Sequence, residues 1–151
     1  MTPAIKQQLY DLCQEYILKR IDSSRSAIDA AQLSANEETK SSSGDKYETG
    51  RAMAQLEIEK NTTQYAEAVK LKNSLDRISI DVKPETVQPG SLVLTDQGVF
   101  FIAISLGKVI LADESYLVIA TASPLGLRLI GARVGDQVNF RDQTYVVKQL
   151  I

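Results

Sequence analysis

The feature that most constrains the fold of this 151-residue chain is the spacing of its prolines. Pro3 is followed by no other proline until Pro84. Because proline breaks helix interiors, such a long stretch without one favours long helices. Glycine within the stretch occurs only as Gly44 and Gly50. Both lie in the segment SSSGDKYETGR, residues 41–51, where the sequence therefore predicts a break.

Apolar residues recur every three or four positions on both sides of this break, which is the spacing of one helix face. We therefore predict two helices, roughly 3–36 and 46–76, each with one apolar stripe that the other covers, as in an antiparallel coiled-coil hairpin. The alternative is a two-helix part of a larger bundle. The stripe residues are Ile5, Leu9, Leu12, Tyr16, Ile21, Ile28, Ala31 and Ala35, then Ala54, Ile58, Tyr65, Val69 and Leu75, with Thr62 filling one gap.

The second half of the chain has a different pattern, made of short β-rich runs separated by turn residues. Ser123, Pro124 and Gly131 bracket one short helix as its N-cap, first residue and stop. Arg141 and Asp142 separate the last two runs as a hairpin turn. The sequence therefore predicts a small antiparallel sheet with one short helix. The predicted strands are 91–96, 99–105, 108–112, 115–121, 136–140 and 143–150.

These two patterns predict an α+β fold in two parts. The long antiparallel α-helical coiled-coil hairpin occupies residues 1–76, and the sheet domain occupies residues 91–151. Residues 77–90 contain Pro84, Pro89 and Gly90, and such a composition is typical of a linker.

Charge and hydropathy exclude several classes of partner. The chain has 17 Lys and Arg residues against 19 Asp and Glu residues, and neither half is a basic block, which disfavours non-specific duplex binding. No apolar run approaches the ~20 residues that span a bilayer, and the N-terminal segment is charged and amphipathic, unlike a signal peptide. We expect a cytoplasmic protein with no membrane partner.

Cysteine and histidine usage narrows the possible chemistry. The chain has one cysteine, Cys13, and no histidine, so an intrachain disulfide is excluded and a structural zinc site is disfavoured. Cys13 lies among apolar residues, which predicts a buried, inert thiol. Catalytic devices that need histidine are excluded as well, which leaves carboxylate chemistry or no chemistry at all.

Two carboxylates, Asp45 and Glu48, lie three residues apart at the break. As N-cap and N3 residues they fit a variant of the capping box, which needs no further function. Residues at i and i+3 also share a helix face, so both carboxylates could hold one ion. The nearby Lys46 and Arg51 can balance the local charge.

Two motifs carry a family resemblance. At the break, Gly44-Asp45-Lys46-Tyr47-Glu48 looks like Gly-Asp-x-x-Glu. In the second half, SPLGLRLIG (123–131) followed by GDQV (135–138) is similar to a Ser-Pro, Leu-(Ile/Leu)-Gly, Gly-Asp-x-Val series. The two motifs, their order along the chain and the length of the chain all resemble the Gre-type transcript-cleavage factors. These are bacterial proteins that act on RNA polymerase. Thr49 and Ala52 stand where that family usually has an asparagine and an aromatic residue.

The resemblance implies a fold and a mechanism. Residues 91–151 would form an FKBP-like polymerase-binding domain without isomerase activity, with Ser123 and Pro124 facing RNA polymerase. The hairpin would enter the secondary channel, where Asp45 and Glu48 help to hold a Mg²⁺ ion shared with the polymerase and assist cleavage of backtracked RNA. By this hypothesis the chain is not an enzyme alone, it has the nascent RNA 3′ end as an indirect partner, and it binds no specific DNA sequence. Lys46 and Arg51 are then candidates for contact with RNA phosphates.

Two other functions remain open at this point. One is a regulator that occupies the secondary channel without stimulating cleavage, and the other is a coiled-coil protein-interaction module. Among the aromatic residues, Tyr16 and Tyr65 lie on the apolar stripes, so we expect them in the core. Of Phe100 and Phe101, adjacent on one strand, one should face the core and the other is a candidate for exposure.

Overall fold

Two long helices open the chain. The computed structural model describes residues 1–39 and 44–151, and the side chains of residues 1–37 and 48–151. Helix α1 spans Pro3–Thr39 and helix α2 spans Gly44–Asp76. At 1.5 Å per residue these helices are ~55 Å and ~50 Å long. No helix within the described ranges is long and apolar enough to cross a membrane.

Six strands and one short helix follow, which confirms the α+β class. Each strand begins and ends within about two residues of its predicted bounds, because local turn signals delimit it. The hairpin turn predicted at Arg141 and Asp142 is confirmed, and both residues have positive φ, 47° and 63°, as a type I′ turn requires. The elements are β1 (Leu92–Thr95), β2 (Gly98–Ala103), β3 (Gly107–Leu111), β4 (Glu114–Ala120), α3 (Pro124–Leu129), β5 (Gln137–Phe140) and β6 (Gln143–Leu150).

The chain forms two compact units. One combines Met1–Glu15 with Ser74–Ile151, and the other is Tyr16–Asn73. The first therefore contains the sheet, α3, the beginning of α1 and the last residues of α2. The second is helical throughout its described residues. The domain boundaries predicted after residues 76 and 90 stay a prediction.

The helical unit buries one stripe from each helix. On α2, Ala54, Asn61 and Ala68 are buried at intervals of seven residues, which is the repeat of a coiled coil. Thr62, which was expected to fill a gap in the apolar stripe, is exposed. The preceding residue, Asn61, occupies the buried position instead. The buried residues of α1 in this unit are Ile17, Ile21, Ser24 and Ala35.

Hydrogen bonds between α1 and α2 show that the two helices are antiparallel. The Tyr10 hydroxyl donates to the Leu75 carbonyl at 3.2 Å, and further along α1 the Arg25 guanidinium donates to the Tyr65 hydroxyl at 3.0 Å. As the residue number rises on α1 it falls on α2, as expected for a hairpin.

The six strands form one sheet in the order β3-β4-β2-β1-β6-β5. Four of the five strand pairs are antiparallel, as predicted, but β2 and β4 are parallel. The reason is topological. After β2 the chain passes to the sheet edge as β3 and turns back as β4, which inserts between β3 and β2. Two reversals of direction make β4 parallel to β2, so the sheet is mixed rather than wholly antiparallel.

The core of this unit lies on both faces of the sheet. On one face, residues from the four strands β1, β2, β5 and β6 pack with Leu129 of α3. On the other, Leu92, Phe101 and Val118 are paired across β1, β2 and β4 and are fully buried. The central strands are therefore covered on both sides. The first cluster consists of Val87, Val93, Phe100, Ile102, Leu129, Ala132, Val138, Tyr145, Val147 and Leu150.

The predicted linker, residues 77–90, is packed against the sheet domain. Val87 is 1% exposed, its N–H donates to the Ala132 carbonyl and its carbonyl accepts from Gly131 N–H, each at 2.8 Å. Gly90 has φ of 93°, and a Cβ there would lie 2.6 Å from the Ile78 side chain. This segment is thus part of the same compact unit as the sheet.

Candidate functional site

The Ser-Pro motif starts α3 in the manner predicted from the sequence. Ser123 is the N-cap in an extended conformation, and Pro124 follows as the first helical residue. The Ser123 hydroxyl accepts from Gly126 N–H at 3.1 Å and donates to the Ala120 carbonyl at 2.6 Å. One side chain therefore satisfies a free helical N–H and ties α3 to the end of β4.

The remaining residues of this motif shape the exit from α3. Gly126 is buried, and a Cβ on it would overlap Ala120 O and lie 2.9 Å from Thr121 O. Gly131 and Gly135 have φ of 86° and 95°, a region that favours glycine. The Asp136 carboxylate accepts from Arg133 N–H at 2.8 Å. These residues of the motif therefore each have a role in local folding.

Beside α3 lies an open groove of about 640 Å³. Its lining includes Ser123 and Pro124, the two residues that the resemblance predicts to face RNA polymerase. The floor is mainly apolar and includes an edge-to-face aromatic pair, with the rings of Phe100 and Tyr145 at 5.8 Å and 70°. Apolar side chains that line the groove are Val99, Phe100, Leu117, Ile119, Leu125, Phe140 and Tyr145.

One row of paired residues runs along the groove floor towards the sheet edge. Phe100 on β2 pairs with Leu117 on β4, which pairs with Lys108 on β3. Phe100 is 5% exposed and Leu117 is 37% exposed, and Lys108 is exposed. On this face of the sheet the residue of β2 is therefore buried, whereas its neighbours on β4 and β3 are exposed. This leaves an apolar surface open to a ligand or a partner.

The carboxylates singled out in the sequence lie at the start of α2. Glu48 is exposed, and Asp45, three positions earlier, belongs to the same helix. The side chains of Asp45, Lys46 and Tyr47 lie outside the described residues, and so does the segment 40–43. Arg51 is exposed on the next turn. No group of three or more metal-ligating side chains occurs in the part of the chain that the structure describes.

Two expectations about aromatic residues are wrong. Tyr16 is 37% exposed because the buried stripe of α1 runs through Cys13 and Ile17, which lie one position after the predicted stripe residues Leu12 and Tyr16. Its ring is instead covered by the Arg20 guanidinium at 5.8 Å. Phe100 and Phe101 are both buried, at 5% and 0% exposed, because both faces of β2 are covered. Neither ring is therefore an exposed partner surface.

The prediction for Cys13 is confirmed as far as burial is concerned. The thiol is fully buried, and this burial raises its pKa to about 12. Because the thiolate is the reactive form, the residue is chemically quiet at neutral pH. Cys13 is therefore part of the core and not a candidate site.

Two buried polar residues were missed from the sequence. Lys6 is 2% exposed, and its ammonium donates to the Val82 carbonyl at 3.5 Å. Asn61 is 9% exposed, and its amide donates to the Glu57 carboxylate at 3.4 Å. The seven-residue spacing from Ala54 was a signal for Asn61, whereas nothing in the local sequence indicates the burial of Lys6.

The fold and site together define a class of protein. It is a helical hairpin joined to a mixed-sheet domain with an open apolar groove beside a Ser-Pro-capped helix. The described residues contain no group of three or more metal-ligating side chains, and the chain has no histidine.

No protein-family model and no curated protein sequence matches the chain. Among solved structures, it is similar to the crystal structure of GreA factor homolog 1 (Gfh1) of Thermus thermophilus, with 18% sequence identity, coverage of 91% of this chain and 93% of that chain, and a TM-score of 0.37. That protein is named as a homologue of the factors that the two sequence motifs resemble. A likeness at this level assigns neither activity nor partner to the chain.

Proposed function

We propose that the chain is a Gre-like transcription elongation factor that binds RNA polymerase. It docks through the groove beside α3, inserts its helical hairpin into the secondary channel, and uses Asp45 and Glu48 to assist Mg²⁺-dependent cleavage of backtracked RNA. The observation that carries the proposal is the open apolar groove bordered by Ser123 and Pro124, the two residues that the family resemblance assigns to polymerase binding.

The groove supports docking because of its chemistry. Apolar side chains make up most of its floor, and partly exposed Leu117 continues this surface towards β3. Burial of such a surface stabilises a complex by about 25 cal/mol per Å² before the costs of association are subtracted. Ser123 and Pro124 are fixed by the α3 cap, so little ordering is needed when a partner binds.

The acidic pair supports assistance to a metal ion. Mg²⁺ prefers hard oxygen ligands, retains several waters and is often held by one or two carboxylates. Asp45 and Glu48 provide two carboxylates one helical turn apart on α2, and the exposure of Glu48 leaves it accessible. The chain's pair fits a shared ion, with the remaining ligands supplied by the polymerase. Such an ion would stabilise charge at the attacked phosphodiester.

Lys46 and Arg51 have a supporting role in the proposal. Both follow the acidic pair closely in the chain, and cationic side chains position nucleic acids through phosphate contacts without reading sequence. We assign them to the phosphates of the nascent RNA near its 3′ end. The chain would then contribute positioning and charge to a reaction that the polymerase catalyses.

The test is RNA shortening in a stalled, backtracked polymerase complex from the same organism. The wild-type chain should shorten the RNA, and Asp45→Asn and Glu48→Gln should each abolish most of this effect without reducing binding. Glu59→Gln, a change of an exposed carboxylate elsewhere on α2, is the matched control and should behave as wild type. Shortening that persists in both acidic-pair variants would reject the role of Asp45 and Glu48 in cleavage, and no shortening by the wild-type chain would reject the cleavage role itself.

A second candidate is a polymerase-binding regulator that occupies the channel without stimulating cleavage. Thr49 and Ala52 favour it, because they replace an asparagine and an aromatic residue usual beside the acidic pair. It predicts polymerase binding without RNA shortening, and binding that survives loss of both carboxylates. If the chain does not co-purify with polymerase at all, an interaction module with another partner is the remaining function.

A further inference from the structure

We propose that the groove beside α3 selects an acidic protein segment, one whose apolar side chains are flanked by carboxylates, and that Lys108 and Arg141 contact those carboxylates. The inference rests on the proposed function in taking this groove as the docking surface. It adds the chemistry of the segment that docks there and names two residues that determine specificity.

The charges around the groove have one sign. Its lining contains two cations, Lys108 and Arg141, and no aspartate or glutamate among the described residues. This contrasts with the chain as a whole, which has a net charge of −2. An apolar cavity with a purely cationic border complements an apolar segment with acidic flanks.

The two cations come from opposite edges of the sheet. Lys108 lies on β3, the first strand in the sheet order, and Arg141 follows β5, the last. Both nevertheless line the same groove, so its apolar floor lies between them. A segment that crosses this floor would meet a cation at each side.

Both cations are available for a partner. Within the described residues neither side chain has a carboxylate partner, although Asp142 is adjacent to Arg141 in the chain. The Arg141 guanidinium lies 5.0 Å from the centre of the Phe140 ring, which keeps it beside the groove and leaves its N–H groups free to donate. Lys108 stands at the exposed end of the row formed with Phe100 and Leu117.

A protein segment fits this surface better than a nucleic acid does. Single-stranded nucleic acids are usually held by aromatic rings on which bases stack. In this groove Phe100 and Tyr145 are buried, and the Arg141 guanidinium already lies over Phe140. The apolar side chains that the lining exposes, Leu117 and Pro124, are therefore aliphatic. Aliphatic contact with a peptide side chain is the interaction that such a floor offers.

The test measures binding of three short synthetic peptides to the full chain by calorimetry. They share one apolar core, Leu-Phe-Leu, and carry aspartate and glutamate, serine, or lysine on both flanks. We expect the acidic peptide to bind about tenfold more tightly than the serine peptide at low salt, from two exposed ion pairs, and the lysine peptide to bind most weakly. High salt should remove most of this difference. Equal binding of all three peptides overturns the inference.

Charge reversal tests the two residues directly. Lys108→Glu combined with Arg141→Asp should make the lysine peptide the tightest binder, and aspartate tolerates the positive φ of position 141. Lys148→Glu, which reverses an exposed cation outside the groove, should leave the order unchanged. An unchanged order in the double variant, with an unfolding midpoint equal to that of wild type, overturns the assignment. Tighter binding of a uridine oligonucleotide than of the acidic peptide does so too.

Measuring the binding of wild type and the double variant to polymerase distinguishes failure of this inference from failure of the proposed function. If wild type binds polymerase, the double variant should bind it about tenfold or more weakly at low salt, because attraction becomes repulsion at both positions. If wild type fails to bind polymerase but prefers the acidic peptide, the proposed function fails and the chemistry of the groove stands. If wild type binds polymerase and the double variant binds it equally, the inference fails alone.

Discussion

Arg25 on α1 contacts Tyr65 on α2 in two ways. Its Nη2 atom donates a hydrogen bond to the phenol oxygen at 3.0 Å, and its guanidinium carbon lies 5.6 Å from the centre of the same ring. The hydrogen bond is the main reason that the pKa of Arg25 is raised above its usual value. Tyr65, expected in the core, is thus half-buried with its hydroxyl directed to an exposed partner on the other helix.

Removal of this contact should weaken the helical unit slightly. Tyr65→Phe deletes the hydrogen bond and keeps the ring, whereas Tyr65→Ala deletes both contacts and exposes part of the buried stripe. We expect Tyr65→Phe to lower the unfolding midpoint by much less than Tyr65→Ala, since exposed contacts contribute little. Circular dichroism during thermal unfolding gives both midpoints. Equal losses in the two variants would show that the ring contributes nothing to the contact.

Gly126 should not tolerate a side chain. The Cβ of alanine would overlap Ala120 O and approach Thr121 O and the Ser123 hydroxyl, which are fixed by the α3 cap. We expect Gly126→Ala to cost about 2–4 kcal/mol in urea unfolding, as for overpacking against backbone.

Gly131 provides the matched control for that substitution. It has φ of 86° but open space around its Cβ position, so Gly131→Asn should cost less than about 1 kcal/mol, because asparagine tolerates this conformation. An equal cost for Gly126→Ala and Gly131→Asn would show that the close approach of Ala120 does not explain the glycine at 126.

Asn61 should set the register of the hairpin at a cost in stability. It lies in the buried stripe of α2 with the Glu57 carboxylate as its hydrogen-bond acceptor at 3.4 Å. Asn61→Leu replaces a buried amide by an apolar side chain and should stabilise the chain by about 1–2 kcal/mol, while allowing other pairings of the helices. Thermal unfolding and size-exclusion chromatography measure the two effects, with Thr62→Leu on the exposed side as control. A less stable and strictly single species would contradict this role.

Comparison of the sequence predictions with the structure shows where local information was sufficient. The strands, the turn at Arg141 and the α3 cap at Ser123 were predictable because each depends on residues within a few positions. The phase of the α1 stripe was not, since a spacing of three or four residues fits both Tyr16 and its neighbour Ile17. The same ambiguity of one position led to Thr62 in place of Asn61.

Long-range features of the sheet and the site could not be derived from local patterns. The parallel pairing of β2 with β4 follows from where β4 inserts, which no turn residue encodes. Ser123 and Pro124 were found through a motif of adjacent residues. Lys108 and Arg141 were not, because they lie far apart in the chain and meet at the groove only through the order of the strands.

Lys6 should make stability rise with pH in the alkaline range. Burial lowers its pKa below 10.5, and Asp81 only partly opposes this effect. Between the lowered pKa and 10.5, the unfolded chain therefore binds more protons than the folded chain, so stability increases with pH there. Below that window the charged form destabilises the fold, and Lys6→Met should stabilise it at pH 7 by about 1 kcal/mol.

Urea unfolding of wild type and Lys6→Met at several pH values measures this effect. The advantage of the methionine variant should shrink as pH approaches 10.5, because wild-type Lys6 then becomes neutral in both states. Lys70→Met, a change of an exposed lysine on α2, is the control for loss of one positive charge and should not stabilise the chain at pH 7. A constant advantage for Lys6→Met across the range would contradict a titration of Lys6.

Cys13 should react with a thiol reagent only when the chain opens. Its pKa is raised from 9.0 to about 12 by burial, so its stabilising contribution is complete below pH 9 and is lost as pH rises towards 12. At pH 8 the folded chain should react with an aromatic disulfide reagent far more slowly than the urea-unfolded chain. Leu9→Ala, which removes a fully buried side chain one helical turn before Cys13 on α1 and costs about 2–5 kcal/mol, should accelerate labelling more than tenfold. Labelling of the wild-type folded chain at the rate of the unfolded chain would show that the thiol is accessible.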